Sequence, residues 1–217
     1  GQGGSGVSLG VALPSGVNNK VRGNSISYCT AGGIAVVTGL PTVAGRGNII
    51  ARNTLVTNGV VNIGVAGFGG LGPNTAVRRN TVLNCVGAGI LIVAAPTCTV
   101  RNNTCIGNTA GGLTVTSNGN NIVDNILNNN GAGVAGNGIT LAGNGNTVTG
   151  NTANGNVLCG IQVGGINQLN TITGNTFLNN AGGIPTPAGG YDMSDLGSPN
   201  IDNTWTGNTY GTANFTP

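Results

Sequence analysis

Asparagine recurs along this chain in a fixed apolar frame, at Asn24, Asn53, Asn80, Asn103, Asn125, Asn151, Asn175 and Asn208. Each follows an aliphatic or aromatic residue by three positions and precedes another, usually apolar, residue by two. The intervals are irregular, roughly 22 to 33 residues, and a period of that size marks a solenoid. In a solenoid one repeat cannot bury its own apolar face and must stack on its neighbours.

The frame is read directly from the residues. Val21, Ile50, Val77, Val100, Ile122, Val148, Ile172 and Trp205 precede the asparagine by three; Ile26, Leu55, Val82, Cys105, Leu127, Ala153, Phe177 and Tyr210 follow it by two. A second alternation opens most repeats after a glycine-rich turn: Val7, Ile34, Ile63, Ile90, Leu113, Ile139, Ile161 and Ile184. Two residues further lie Leu9, Val36, Val65, Ile92, Val115, Leu141, Val163 and Thr186. A spacing of two places both residues on one face of a strand, here the inward face. Glycine and asparagine tolerate the left-handed bends that join such short strands. Wound into coils, the strands stack like on like into parallel sheets. The asparagine then sits at an inward bend, where its amide bonds the asparagine of the next coil. Two flanking columns repeat the device. Asn19, Asn48, Thr75, Cys98, Asn120, Asn146, Asn170 and Asn203 lie five residues before; Cys29, Asn58, Cys85, Asn108, Asn130, Asn156 and Asn180 lie five after.

These strand and ladder residues resemble the right-handed parallel β-helix repeats of the pectin-lyase-like superfamily, including its NosD-like carbohydrate-binding and sugar-hydrolase group. The resemblance runs from about Val7 to Tyr210. It implies an all-β, right-handed parallel β-helix of about eight coils, a rod about 40 Å long at the spacing of β-strands. One domain over 1–217 is expected, with coils over about 6–184 and a last coil over 185–217 that carries an insertion and an aromatic cap or contact. The resemblance also directs attention to calcium-binding aspartates beside a basic residue, as in pectate lyases, or to an aspartate trio with a histidine, as in polygalacturonases.

Charged residues make up only 5% of the chain, against about 25% in an ordinary domain, and histidine is absent. The acids are Asp124, Asp192, Asp195 and Asp202. Glycosidic hydrolysis by the common routes needs two carboxylates flanking the bond. Asp124 is alone on its coil, and the others lie in or beside one insertion, PTPAGGYDMSDLGSPNID. Asp192 and Asp195 are weak calcium candidates; no other metal and no cofactor is expected, and the chain reads as non-catalytic. Four of the five cysteines, Cys29, Cys85, Cys98 and Cys105, occupy inward ladder positions as small buried hydrophobes. Cys29 and Cys85 share a column with Asn58 between them, too far apart for a disulfide. Cys159 falls in a turn and is the expected exposed thiol.

The charges are sorted along the axis. All seven basic residues (Lys20, Arg22, Arg46, Arg52, Arg78, Arg79 and Arg101) precede position 102, and all four acids follow position 123. Arg22, Arg78 and Arg101 share an outward register two before the asparagine. With Arg52 and Arg79 they form a candidate stripe for an acidic polysaccharide, rimmed by the loops VTGLPTVAGRG and GFGGLGP. Nucleic acid is not expected, because interleaved aromatics are lacking. No apolar run reaches the length of a membrane-spanning helix. Outward threonines after the asparagine reflect β-propensity. Asn102 and Asn214 open glycosylation sequons, which matter only in a secreted protein.

The ends carry the remaining signal. GVSL from residue 6 leaves no room for a capping helix, and Phe177, Tyr191, Trp205, Tyr210 and Phe215 gather at the other end. Bare edges template pairing. Val7 and Leu9 at the head, with Trp205, Tyr210 and Phe215 at the tail, are therefore candidate contacts for head-to-tail stacking; a contact that fails to close a ring makes a filament. The expectation is a non-catalytic structural protein of a cell, spore or virion surface, extracellular and self-assembling into a fibre. The alternatives are a carbohydrate-binding module or, behind it, a polysaccharide lyase-like enzyme.

Overall fold

A computed structural model of the chain describes residues 9–14, 18–38, 47–59, 61–67, 74–132, 136–164, 169–183, 190–197 and 203–216. Val7, Arg46, Ile184, Thr186 and Asp202 lie outside these residues, as does most of the two long loops. The described residues form an all-β parallel solenoid. Its first sheet stacks eight strands, from Leu9–Pro14 through Gly32–Thr38, Val61–Gly67, Ala88–Val93, Gly111–Thr116, Ile139–Leu141 and Ile161–Val163 to Met193–Asp195. A second sheet of eight three-residue strands runs from Lys20–Arg22 to Thr204–Thr206. The third sheet has five strands, from Ser25–Ser27 to Ile126–Asn128, and a separate pair, Thr176–Phe177 with Thr209–Tyr210.

The first five turns therefore carry all three strands without a break. Beyond them the third face thins to single bridges at Thr152, where Thr152-Ala153-Asn154 replaces the β-branched and aliphatic residues of earlier turns. The expectation of about eight coils is thus slightly high when counted in complete turns. Two further expectations need correction. The inward pair of the first coil is Val11 and Leu13, which face Ile34 and Val36, while Leu9 pairs with Gly32. The stretch GVSLGVAL alternates throughout, and a slip of four residues keeps every side chain on its own face, so alternation alone does not fix the register. The last strand of the first sheet is built on Met193 and Asp195, in register with Ile161 and Val163, instead of on Ile184 and Thr186. Asn180–Gly183 forms a short 3-10 turn before the insertion.

The inward residues of successive coils make one continuous apolar column of Ile, Val, Leu and Cys, most of it sealed from solvent. Beside it stand the asparagine ladders. In the central ladder each asparagine donates its backbone N–H and its Nδ2 to Oδ1 of the next, unbroken from Asn24 to Asn208, at 2.8 to 3.0 Å. The second Nδ2 hydrogen is used as well: Asn103 donates to the Val77 carbonyl at 2.9 Å, and Asn125 to that of Val100 at 2.9 Å. Such an amide is fully satisfied in a dry interior, with two donors and two lone pairs all engaged. No helix among the described residues is long and apolar enough to cross a membrane.

Truncating a central rung isolates several buried groups at once. Asn103→Ala removes the acceptor of the Asn80 N–H and Nδ2 and the donor to Val77. The expected cost is about 2–4 kcal/mol. Asn102→Gly, at the exposed neighbour whose φ of 54° glycine also adopts, should fall within about 0.5 kcal/mol of the parent. Denaturant unfolding of the two variants side by side checks this difference.

Candidate functional site

The two short strands flanking the central ladder are joined by one residue in the left-handed conformation. Down the coils this column reads Gly23, Arg52, Arg79, Asn102, Asp124, Gly150, Gly174 and Gly207, all at φ between 53° and 69°. The turn requires the positive φ, and glycine meets it at least cost. In the second and third coils an arginine occupies it instead and stands exposed at the corner of the solenoid.

Next to this corner lies the outward register of the second sheet. Its pairing runs Arg22 to Ala51 to Arg78 to Arg101. Ala51 interrupts the arginine column, and its short side chain leaves a gap between Arg22 and Arg78. The result is a recess of about 150 Å³ lined by Arg22, Ala51, Arg52, Arg78 and Arg79. Four of the five expected stripe residues therefore converge on one cavity. Arg101 continues the column one strand further along and does not line it. Among the described residues no carboxylate lines the recess. Asp124, the nearest acid in the corner column, stands two coils beyond Arg79, about 10 Å away at strand spacing. Guanidinium groups are planar forks that match carboxylate and sulfate geometry, and four around one gap make a site for an anionic group.

A second feature escaped the reading of the sequence. At the opposite edge of the third sheet, an open groove of about 370 Å³ is lined by Tyr28, Cys29, Thr30, Thr57, Asn58, Gly59 and Val86. Tyr28 is 78% exposed and Val86 61% exposed. Tyr28 adopts φ 56° at the corner residue that precedes the third ladder. The available signal was an aromatic residue far from the C-terminal cluster, at a corner filled by Thr57 in the next coil and by Asn or Gly in those after it.

Two of the acids play structural parts. Asp192 and Asp195, the weak calcium candidates of the insertion, are 1% and 3% exposed. Asp192 Oδ1 accepts from the N–H and Nδ2 of Asn180, and its Oδ2 accepts from the N–H groups of Gly211 and Thr212, at 2.8 to 3.0 Å. Asp195 accepts from the Gly197 N–H, from Asn203 Nδ2 and from Trp205 Nε1. A cation at Asp192 would have to displace four donors.

At the same end Ala213 bridges to Met193, so the terminal segment extends the first sheet. Asn214 of the second sequon uses both ends of its amide on the Asp195 backbone. Phe215 packs on Trp205, ring centroids 4.8 Å apart, whereas Tyr210 remains exposed. Leu9 starts the first strand at the head. Asn102 of the first sequon is exposed at its corner.

All five cysteines are free thiols. Cys159, expected to be exposed, is fully buried, because its turn is covered by the Tyr191–Asp195 segment that pairs with the strand following it. Burial raises the thiol pKa of Cys85, Cys105 and Cys159, and pushes that of Cys98 up to about 11. A thiol reagent at pH 8 should label the half-buried Cys29 and spare the other four until the chain unfolds, as peptide mass spectrometry would show. For Cys98 the folded chain holds the proton more tightly than the unfolded one. Its contribution to stability is therefore complete below about pH 9 and is lost as the pH rises through 11. Alkaline unfolding of Cys98→Ala should show a shallower decline over that window.

The coil geometry has counterparts among known proteins. A family profile described as right handed beta helix region matches residues 5–146 and 74–216. Comparison with curated protein sequences finds no match. Among solved structures, the A-module of the Azotobacter vinelandii mannuronan C-5 epimerase AlgE6 superposes with a TM-score of 0.71 at 16% identity. The alignment covers 96% of this chain and 55% of that one, so this chain spans about half the length of the epimerase module. At this identity the likeness is one of fold. With nearly its whole length matched by that profile, the chain belongs to the right-handed β-helix family.

Proposed function

We propose that this chain is a carbohydrate-binding β-helix module that holds an acidic polysaccharide. The observation that carries the reading is the recess into which Arg22, Arg52, Arg78 and Arg79 converge, with no acid among the described residues of its lining. An anionic group entering it relieves the mutual repulsion of four cations and gains bidentate hydrogen bonds. A polymer with an acid on every residue adds further contacts along the corner, with Arg101 next in line. The likeness to an enzyme module named for mannuronan, a uronic-acid polymer, supports the substrate class. Such polymers lie outside cells, and the reading places the chain there or at the cell surface. Proton NMR of mannuronan incubated with the protein separates binding from turnover.

The wild-type protein should be retained on an immobilised polyuronate at low salt and released as salt rises, because exposed charge interactions are screened. The double variant Arg78→Ala, Arg79→Ala should pass through. Equal retention of variant and parent, or no retention of the parent at low salt, would remove the basis of the proposal.

End-to-end self-association is a second reading, favoured by the polarity of the ladders. In the central ladder every rung donates forward, from Asn24 towards Asn208, so this column has its acceptor at Asn24 and its donor at Asn208. The basic and acidic halves add charge complementarity. Sedimentation velocity across concentration and salt tests it: association should weaken at high salt, and a single monomeric species throughout would end this reading.

A further inference from the structure

We infer that the acid-binding recess is one end of an extended oligosaccharide site, whose other end is the Tyr28 groove, where a sugar ring stacks on the exposed phenol. The inference rests on the reading of the recess as a site for acidic polysaccharide. The two features belong to the same three coils and to opposite edges of the same sheet. Arg22 and Arg52 precede the strands Ser25–Ser27 and Thr54–Val56; Tyr28 and Thr57 follow them immediately. From Arg52 to Thr57 is five residues, at most about 16 Å, because left-handed corner residues flank the three-residue strand Thr54–Val56. That length suits a short oligosaccharide and exceeds a single sugar.

The surface between the two ends fits a sugar chain. Ser25, Ser27 and Thr54 are exposed on the first two strands and Val56 is half-buried beside them, so the path carries hydroxyls and one short apolar side chain. The parallel pairing of the strands keeps it flat: Ser25 faces Thr54, and Ser27 faces Val56. The groove beyond is shaped by close approach of successive coils. Gly59 lies against the Thr30 carbonyl, where any Cβ would collide, and its N–H donates to the Cys29 carbonyl at 2.7 Å. Tyr28 and Val86 rise on either side of this floor.

Such a groove has an apolar body and a polar floor. A pyranose ring has an apolar C–H face and a rim of hydroxyls, and so matches both. The arginines at the other edge select an acidic sugar chain as the occupant. A neutral peptide or glycan would leave the four guanidinium groups without an anionic partner. The phenol contributes through its ring, so loss of its hydroxyl should matter little and loss of the ring should matter much.

The test uses oligouronates of defined length and isothermal titration calorimetry. The wild type should bind a hexasaccharide more tightly than a disaccharide. Tyr28→Ala should weaken the hexasaccharide roughly five- to tenfold and leave the disaccharide unchanged, since the short ligand occupies only the recess. Tyr28→Phe should restore hexasaccharide affinity. Arg52→Ala should weaken both ligands. If Tyr28→Ala leaves the hexasaccharide affinity intact while Arg52→Ala lowers it, the extended site is wrong and the arginine reading stands. If neither ligand binds the wild type, both are wrong. If Tyr28→Ala instead changes the sedimentation of the free protein, the groove is a contact between copies and the extended site is likewise overturned. Tyr28 is exposed in a corner turn, so its replacement should leave the unfolding midpoint in place; circular dichroism verifies this for each variant.

Discussion

A primary amide carries two donors and two acceptor sites, and in this molecule the central asparagines use all four. One hydrogen goes forward to the next rung, one to a strand carbonyl, and the oxygen accepts from the rung behind. That closure permits a polar column inside an interior of Ile, Val and Leu, where an unpaired amide would be costly. It also forces each coil to stand at the height and rotation of the one before. The sheets inherit their register from it. The corners, and everything displayed on them, inherit their positions from the sheets. A change of one rung is therefore felt on both neighbouring coils, whereas a change at a corner side chain is felt only by what lands there.

The scaffold was legible because its constraints are local and repetitive. Val77, Asn80 and Val82 announce a coil within six residues, and the same frame returns at Val100, Asn103 and Cys105. What stayed hidden depends on relations that a period does not encode. The first coil could start at Val7 or at Val11, since both satisfy an alternation of two. The last strand lay across an insertion, and Met193 carried no mark that set it above Ile184. Cys159 reads as a turn residue, but its burial comes from a segment more than thirty positions later in the chain. Asp192 and Asp195 look solvated by composition, and only the folded chain reveals the amide donors that surround them.

The candidate site shows a related divide. The arginines were visible as a stripe in sequence. Their convergence was not, because it depends on Ala51, a residue with no chemistry of its own, which supplies the gap between longer neighbours. Tyr28 was invisible for a different reason: corner residues belong to neither strand and fall outside any count of alternation. In a solenoid of this kind the positions free to carry function are those that the ladder leaves unconstrained, and they attract least notice when the ladder is the guide.

The ladders do not all finish alike. An asparagine rung accepts from one side and donates to the other, so a column of asparagines can always hand its pattern on. A carboxylate only accepts. One column runs into a carboxylate, at Asp192 beyond Asn180, and there the side-chain relay halts. Asn203 donates to Asp195 of its own coil, and the central column reaches the amide of Asn208. Exchanging one nitrogen for one oxygen thus turns a rung that passes the pattern on into one that only receives it.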